Sequence, residues 1–211
     1  MFVQSHKFVE RHQGNRANIS VIGQESNADT WRLCKMNLAI RGISHNLGEK
    51  NDSTFTNDLH KDRKFDYIMA NPPFNLKGWR GEDELTDDPR WHGYTVPRTS
   101  NANYAWIEHI ISKLDVTHGI AGFLLANGAL NASGDEQTIR KAILDKDLVE
   151  AIIVLPRDMF YTTDISVTLW IINMNKQAGM VHGREVRDRT KQILFMDLRT
   201  WNQHIEEIVI D

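Results

Sequence analysis

The feature that most constrains this chain is an apolar run, Phe65 to Ala70, that passes straight into Asn71-Pro72-Pro73-Phe74. A short run of this kind reads as a β-strand. Two successive prolines cannot donate to a sheet ladder, and each fixes its own φ, so the strand must stop at Ala70 and the backbone beyond it must be stiff. A buried strand that ends abruptly in a rigid polar turn needs a sheet around it, and the rest of the chain supplies one.

Strand-like and helix-like patterns alternate along the sequence. Ile19 to Gly23 reads as a short strand. Ala28 to Ile40 reads as a helix, capped by Ser26 or Asn27. Ser53 to Thr56 is a weak strand. Ala102 to Leu114 is a helix with Ile107, Ile110, Ile111 and Leu114 at helical spacing, and Ile120 to Ala126 is a strand. Gln137 to Leu144 is a helix, Leu148 to Leu155 and Ser166 to Met174 are strands, Ile193 to Asp197 is another, and Thr200 to Glu207 is a closing helix. This order predicts an α/β fold with a mostly parallel sheet flanked by helices. The continuous apolar strands predict burial on both faces. Ligands in such sheets bind beyond the carboxyl ends of the strands, here after Gly23, Thr56, Ala70 and Ala126. Residues 75 to 100 are a long loop, functional or mobile.

Composition narrows the function. With 25 Lys and Arg against 28 Asp and Glu, the 211-residue chain carries a net charge of -3. A protein that grips nucleic acid unaided usually has a basic excess. If DNA is the substrate, another chain or domain supplies much of the phosphate grip. The single cysteine, Cys34, permits no intrachain disulfide and no cysteine-cluster metal site, and it falls in a helical pattern where packing is its expected role. No metal site is expected. Met1 to Arg11 lacks the apolar core of a signal peptide, and no apolar run approaches the ~20 residues of a membrane span, so the expected location is cytoplasmic.

The chemistry suggested by Asn71 and Pro72 is methylation of an aromatic amine. The amine's lone pair is delocalised into its ring. Two acceptors, the Asn71 side-chain oxygen and the Pro72 backbone carbonyl, can bind both amine hydrogens and aim the lone pair at an electrophilic methyl. The prolines hold these acceptors in place beforehand. Phe74 offers a face for stacking an extruded base. The alternative is that Asn-Pro-Pro is merely a strand-ending turn.

These residues resemble the amino-methyltransferases whose cofactor motif precedes Asn-Pro-Pro-(Phe/Tyr), and most closely the modification subunits of type I restriction-modification systems. The resemblance covers nearly the whole chain. It implies a Rossmann-like core that uses S-adenosylmethionine to methylate N6 of adenine in double-stranded DNA, working with a specificity subunit and a restriction subunit. It makes Asn71, Pro72, Pro73 and Phe74 the catalytic segment, with Asn71 also beside the cofactor. Gly23-Gln24-Glu25-Ser26-Asn27 resembles the motif whose acidic residue holds the cofactor ribose, which assigns that role to Glu25. Asn57-Asp58-Leu59 resembles the motif whose acidic residue accepts from the cofactor adenine, which assigns Asp58. Gly119 to Leu130 resembles a later scaffold strand. Leu155 to Ile165 resembles the wall of the base pocket, with Phe160 as a second aromatic contact and Tyr161 as its exposed partner. Glu25 as an ordinary loop carboxylate, Asp58 as a turn or capping residue and Phe160 as a core residue remain alternatives.

The family's Gly-rich first motif has no counterpart before Ile19. The expected organisation is therefore a partial catalytic domain over residues 1 to 211, without the helical N-terminal region, the first strand and Gly-rich loop, or the C-terminal helices. Weak cofactor binding by the isolated chain is the corresponding expectation. Rival readings are a methyltransferase for protein glutamine or RNA amines, and a truncated remnant that retains only partner binding. Three further features have two readings each. The acidic stretch Gly81 to Asp88 is a solvated loop or a metal site. Arg184, Arg187, Arg189 and Lys191 are a solvated loop or a contact with DNA phosphates or a partner. Trp79, Trp91 and Tyr94 clamp DNA or a partner subunit, or pin the long loop to the core.

Overall fold

The computed structural model describes residues 1–157, 159–160, 164–181 and 183–201, without the side chain of Arg16. The chain divides into two compact units, residues 1–63 and 64–211.

The first unit contains helix α1 (Phe2–Arg11), strand β1 (Val21–Ile22), helix α2 (Ala28–Ile40) and strand β2 (His45–Asn46). β1 and β2 pair in parallel. α2 has the expected limits because both ends are capped locally. The Asn27 side chain accepts from the backbone N–H groups of Asp29 and Thr30. At the other end Gly42 takes φ +63°, its N–H reaches the Ala39 carbonyl, and the Ile43 N–H reaches Leu38. This Schellman closure brings Ile43 against Leu38. Both are buried with Val21 and Leu47, and Cys34 packs beside them. Burial raises the Cys34 thiol pKa, which fits a packing role and not a reactive one. Replacing Asn27 with alanine is expected to cost about 1 kcal/mol of stability, read as a lower urea midpoint.

Ser53 to Thr56 is not a strand. Asp52 and the Ser53 hydroxyl accept from nearby backbone N–H groups, and the Asn57 N–H bonds the Ser53 carbonyl. Short polar side chains have captured donors that a ladder would need. β2, two polar residues long, leaves no periodic trace in the sequence.

The second unit is built on a five-stranded sheet. Its elements are β3 (Tyr67–Ala70), α3 (Asn103–Lys113), β4 (Ile120–Ala126), α4 (Asp135–Asp145), β5 (Val149–Val154), β6 (Val167–Asn173), the hairpin β7 (Gly179–Val181) and β8 (Arg184–Val186), and β9 (Leu194–Asp197). The strand order is β3-β4-β6-β5-β9. β3 is parallel to β4 and β5 to β9, while β6 is antiparallel to both neighbours. Four of the five strands therefore point one way, and their carboxyl ends share one edge.

On one face Ala121, Phe123, Leu125, Trp170, Ile172, Val149 and Ile152 pack against Ile107, Ile110, Ile111 and Leu114 of α3 and against Ile139 and Ile143 of α4. Phe123 and Trp170, cross-strand partners, stack with ring centroids 6.3 Å apart. The other face is less covered than the apolar strands imply, since Tyr67 and Met69 are exposed and Leu124, Leu169 and Ile171 are half-buried. Lys176, buried at the sheet's far end, donates to the Asp147 carboxylate and to the Val149 and Gln192 carbonyls, tying together the segments that enter β5 and β9. No described helix is long and apolar enough to cross a membrane. Of the expected closing helix, residues 202–207 lie outside the described residues.

Candidate active site

β3 delivers the Asn-Pro-Pro-Phe turn to the carboxyl edge of the sheet. Its last residue, Ala70, pairs with Phe123 of β4. Asn71 is exposed, and its carboxamide has no hydrogen-bond partner among the described residues. Pro72 is buried, Pro73 exposed and Phe74 half-buried. The packed proline thus anchors a turn whose polar groups remain available.

Sequence reasoning missed what holds this turn from the other side. Asn75 takes φ +54°, a left-handed conformation that asparagine tolerates better than most residues. Its N–H donates to Oδ1 of Asn103 at 2.9 Å, and Nδ2 of Asn103 donates back to Oδ1 of Asn75 at 2.9 Å. Nδ2 of Asn101 also reaches Asn75 Oδ1, at 3.2 Å. Asn103 is 2% exposed and opens α3. The next residue, Tyr104, donates its hydroxyl to the Ala129 carbonyl at 2.7 Å. Ala129 lies in the 3-10 turn Asn127–Leu130 that follows β4. In that turn the Asn127 carboxamide oxygen accepts from the Thr168 hydroxyl at 2.6 Å.

The two aromatic candidates meet. Phe74 and Phe160 have ring centroids 6.1 Å apart and planes at 67°. A base held between parallel rings needs about 7 Å. The two phenylalanines therefore form a corner, one ring edge against the other face, and not a slot. The loop that carries Phe160 is stapled by a two-pronged ion pair between Arg157 and Asp164, at 3.0 and 2.6 Å. Tyr161 lies outside the described residues.

Glu25 and Asp58 both belong to the first unit and are half-buried. One Glu25 oxygen accepts from the Asn27 N–H at 2.8 Å. One Asp58 oxygen accepts from the His60 N–H at 2.9 Å. Gln24 joins the two segments, donating to the carbonyls of Asp52 and Asn57 and accepting from the Leu59 N–H. His60 adds a bond to the Gly23 carbonyl. The end of β1 and the Asp58 turn are thereby fixed to each other. Each carboxylate thus accepts from a backbone N–H two residues further along its own turn.

A family model described as N-6 DNA Methylase matches residues 1–207. The chain belongs to the N-6 DNA methylase family. It is 45% identical over 199 residues to the type I restriction enzyme HindI methylase subunit of Haemophilus influenzae, covering 94% of this chain and 42% of that protein. It is 38% identical over 215 residues to the type I restriction enzyme MjaIX methylase subunit of Methanocaldococcus jannaschii, covering 99% of this chain and 38% of that protein. Among solved structures it resembles the type I restriction-modification system methyltransferase subunit from Streptococcus thermophilus, with TM-score 0.70, 26% identity, and coverage of 89% of this chain and 37% of that one. The chain thus spans about two fifths of the length of the curated relatives it matches.

The long loop is tightly held by its own residues. Trp79 and Trp91 are buried and meet edge to face at 5.9 Å. Their indole N–H groups donate to the Arg98 and Leu85 carbonyls. Arg80 donates to the carbonyls of Gly81, Glu82, Glu84 and Pro97, closing the loop on itself. Arg98 pairs with Glu136 of α4 at 2.6 Å. Trp79 and Trp91 therefore pin the loop, and their rings are not offered to a partner. No metal-binding group of acidic, His or Cys side chains occurs among the described residues, and the acidic stretch reads as loop. In the basic cluster, Arg189 pairs with Glu150 and Arg187 with Gln192, both at 2.6 Å, so these side chains are engaged within the protein.

Proposed function

We propose that this chain is the catalytic part of a type I modification subunit that transfers a methyl group from S-adenosylmethionine to N6 of an adenine extruded from double-stranded DNA. The observation that carries the reading is Asn71. Its carboxamide is exposed and uncommitted among the described residues, next to a buried proline, at the carboxyl end of a sheet strand. A strand-ending asparagine of purely structural value would spend its amide on the turn, as Asn27, Asn75 and Asn103 do.

In this reading Asn71 Oδ1 and the Pro72 carbonyl accept the two hydrogens of the adenine amine. The nitrogen is drawn toward tetrahedral geometry, and its lone pair is directed away from the ring. The base lies in the corner made by Phe74 and Phe160, stacked on one ring and abutting the edge of the other. Glu25 and Asp58 fit the cofactor's polar groups: a half-buried carboxylate can accept from ribose hydroxyls or from an adenine amine. When bound, S-adenosylmethionine supplies an electrophilic methyl group, so neither a metal nor a strong base is required of the protein. The proton leaves the alkylated nitrogen to one of its two acceptors or to water.

Sequence choice and most of the phosphate grip fall to a specificity subunit, in keeping with the net charge of -3. A restriction subunit joins the same assembly in the cytoplasm. The test is methyl transfer by the full modification protein in complex with its specificity subunit, with labelled cofactor and pools of DNA, RNA and protein. Label is expected in DNA alone, recovered as N6-methyladenine after digestion. Label in RNA or in protein glutamine, or none anywhere, refutes the proposal.

A further inference from the structure

The first turn of α3 reaches two loops with two consecutive side chains. Asn103 holds the residue that follows Asn-Pro-Pro-Phe, and Tyr104 holds the turn that follows β4. Both residues are buried, at 2% and 0% exposure. The two loops leave adjacent parallel strands, so they emerge side by side at the same edge of the sheet. Arg140 of α4 supports the second contact by donating to the Tyr104 hydroxyl and to the Ala129 and Ala132 carbonyls.

We propose that Asn103 is a positioning residue for methyl transfer, acting through Asn75 to set the direction of the Asn71–Phe74 turn, with Tyr104 fixing the neighbouring turn relative to it. This rests on the proposed function above. The physical case is that Asn75 sits in a left-handed conformation that reverses the chain immediately after Phe74. Two reciprocal hydrogen bonds to one buried carboxamide hold that reversal, and a third from Asn101 completes it. Nothing in the turn itself enforces the position of Phe74, because the rigid prolines lie before it and not after. Acceptors for an amine need placing within about 0.5 Å. An unbraced Asn75 would let the Phe74 ring, and with it the stacked base, move by more than that.

The test compares variants of the full modification protein in complex with its specificity subunit, by single-turnover methylation and by separate binding of cofactor and DNA. Asn75→Gly keeps the left-handed backbone accessible and removes the side chain; because this leaves Nδ2 of the buried Asn103 without that acceptor, the urea midpoint of each variant is read beside its rate. Asn75→Gly is expected to slow the methyl-transfer step roughly 10- to 100-fold while both dissociation constants stay within about threefold. Asn75→Asp, which keeps the acceptor for Asn103 Nδ2, is expected to recover most of the lost rate. Asn103→Ala, which removes both reciprocal bonds where Asn75→Gly removes one, is expected to slow the step at least as much as Asn75→Gly, and the double variant to be no slower than Asn103→Ala. Tyr104→Phe is expected to slow the same step by a smaller factor. Wild-type rates in Asn75→Gly and Asn103→Ala, or additive losses, overturn the brace where Asn71→Ala is slowed by about 100-fold or more. A wild-type rate in Asn71→Ala overturns the reading of the motif, and this assignment falls with it.

Discussion

Asn71→Ala is expected to lower the methyl-transfer rate by about 100- to 1000-fold, with little change in stability. The magnitude follows from the loss of one of two fixed acceptors aimed at charge that develops only in the transition state. The small stability effect follows from exposure, since the side chain makes no hydrogen bond among the described residues and its removal orphans no buried group. This combination separates the proposed role from a structural one. If the asparagine merely ended β3, alanine would shift the urea midpoint and leave the rate nearly intact. Asn71→Asp is informative in the same assay. Its carboxylate still accepts from the amine, and a partial rate that falls as pH drops through the carboxylate range would report acceptance by that side chain.

The parts of the fold legible in the sequence were those fixed by local chemistry. α2 starts at an asparagine that caps it and stops at a glycine with positive φ, so both limits can be read from adjacent residues. β3 could be placed because two prolines forbid its continuation. The α/β order and the edge where the motif emerges also followed, whereas the edge-to-face contact of Phe74 with Phe160 is visible only in the fold. What could not be read depends on partners distant in the chain. β2 is two polar residues, visible only through its pairing with β1. The hairpin β7–β8 is two three-residue strands that are almost wholly exposed, too short for a period to announce them. The Asn75–Asn103 pair spans the whole long loop, and asparagine is so common in turns that neither residue stands out. Trp79 and Trp91 could equally have faced a partner until their indoles were seen to bond carbonyls of their own loop.

The second large effect expected is a gain. Replacing Glu108 with methionine should stabilise the protein by about 3 kcal/mol at pH 7.5 and by much less at pH 5. Glu108 lies on α3 with no solvent exposure, and neither carboxylate oxygen has a hydrogen-bond partner among the described residues. Burial pushes its pKa up to about 9, against a weaker opposing pull from Lys146. That ammonium sits over the Tyr94 ring at 3.4 Å and donates to the Gly93 carbonyl, so it does not ion-pair with the acid. Tyr94, itself pushed up to about 12 by burial and by Glu108, stays neutral and adds no charge. The sign follows from proton counts. Between the ordinary glutamate pKa of 4.5 and about 9, the unfolded chain has released the proton that the folded chain keeps. Stability therefore falls as pH rises across that window and levels off near its top, unlike that of an ordinary ion-paired carboxylate, which falls on acidification. Methionine fills nearly the same volume with no proton to lose and no polar oxygen to strand. Urea unfolding of both proteins from pH 5 to pH 9 should show the difference between them widening steadily with pH. A constant difference would mean that Glu108 ionises in the folded state as readily as in the unfolded one, and that its carboxylate has found water or a cation within the fold.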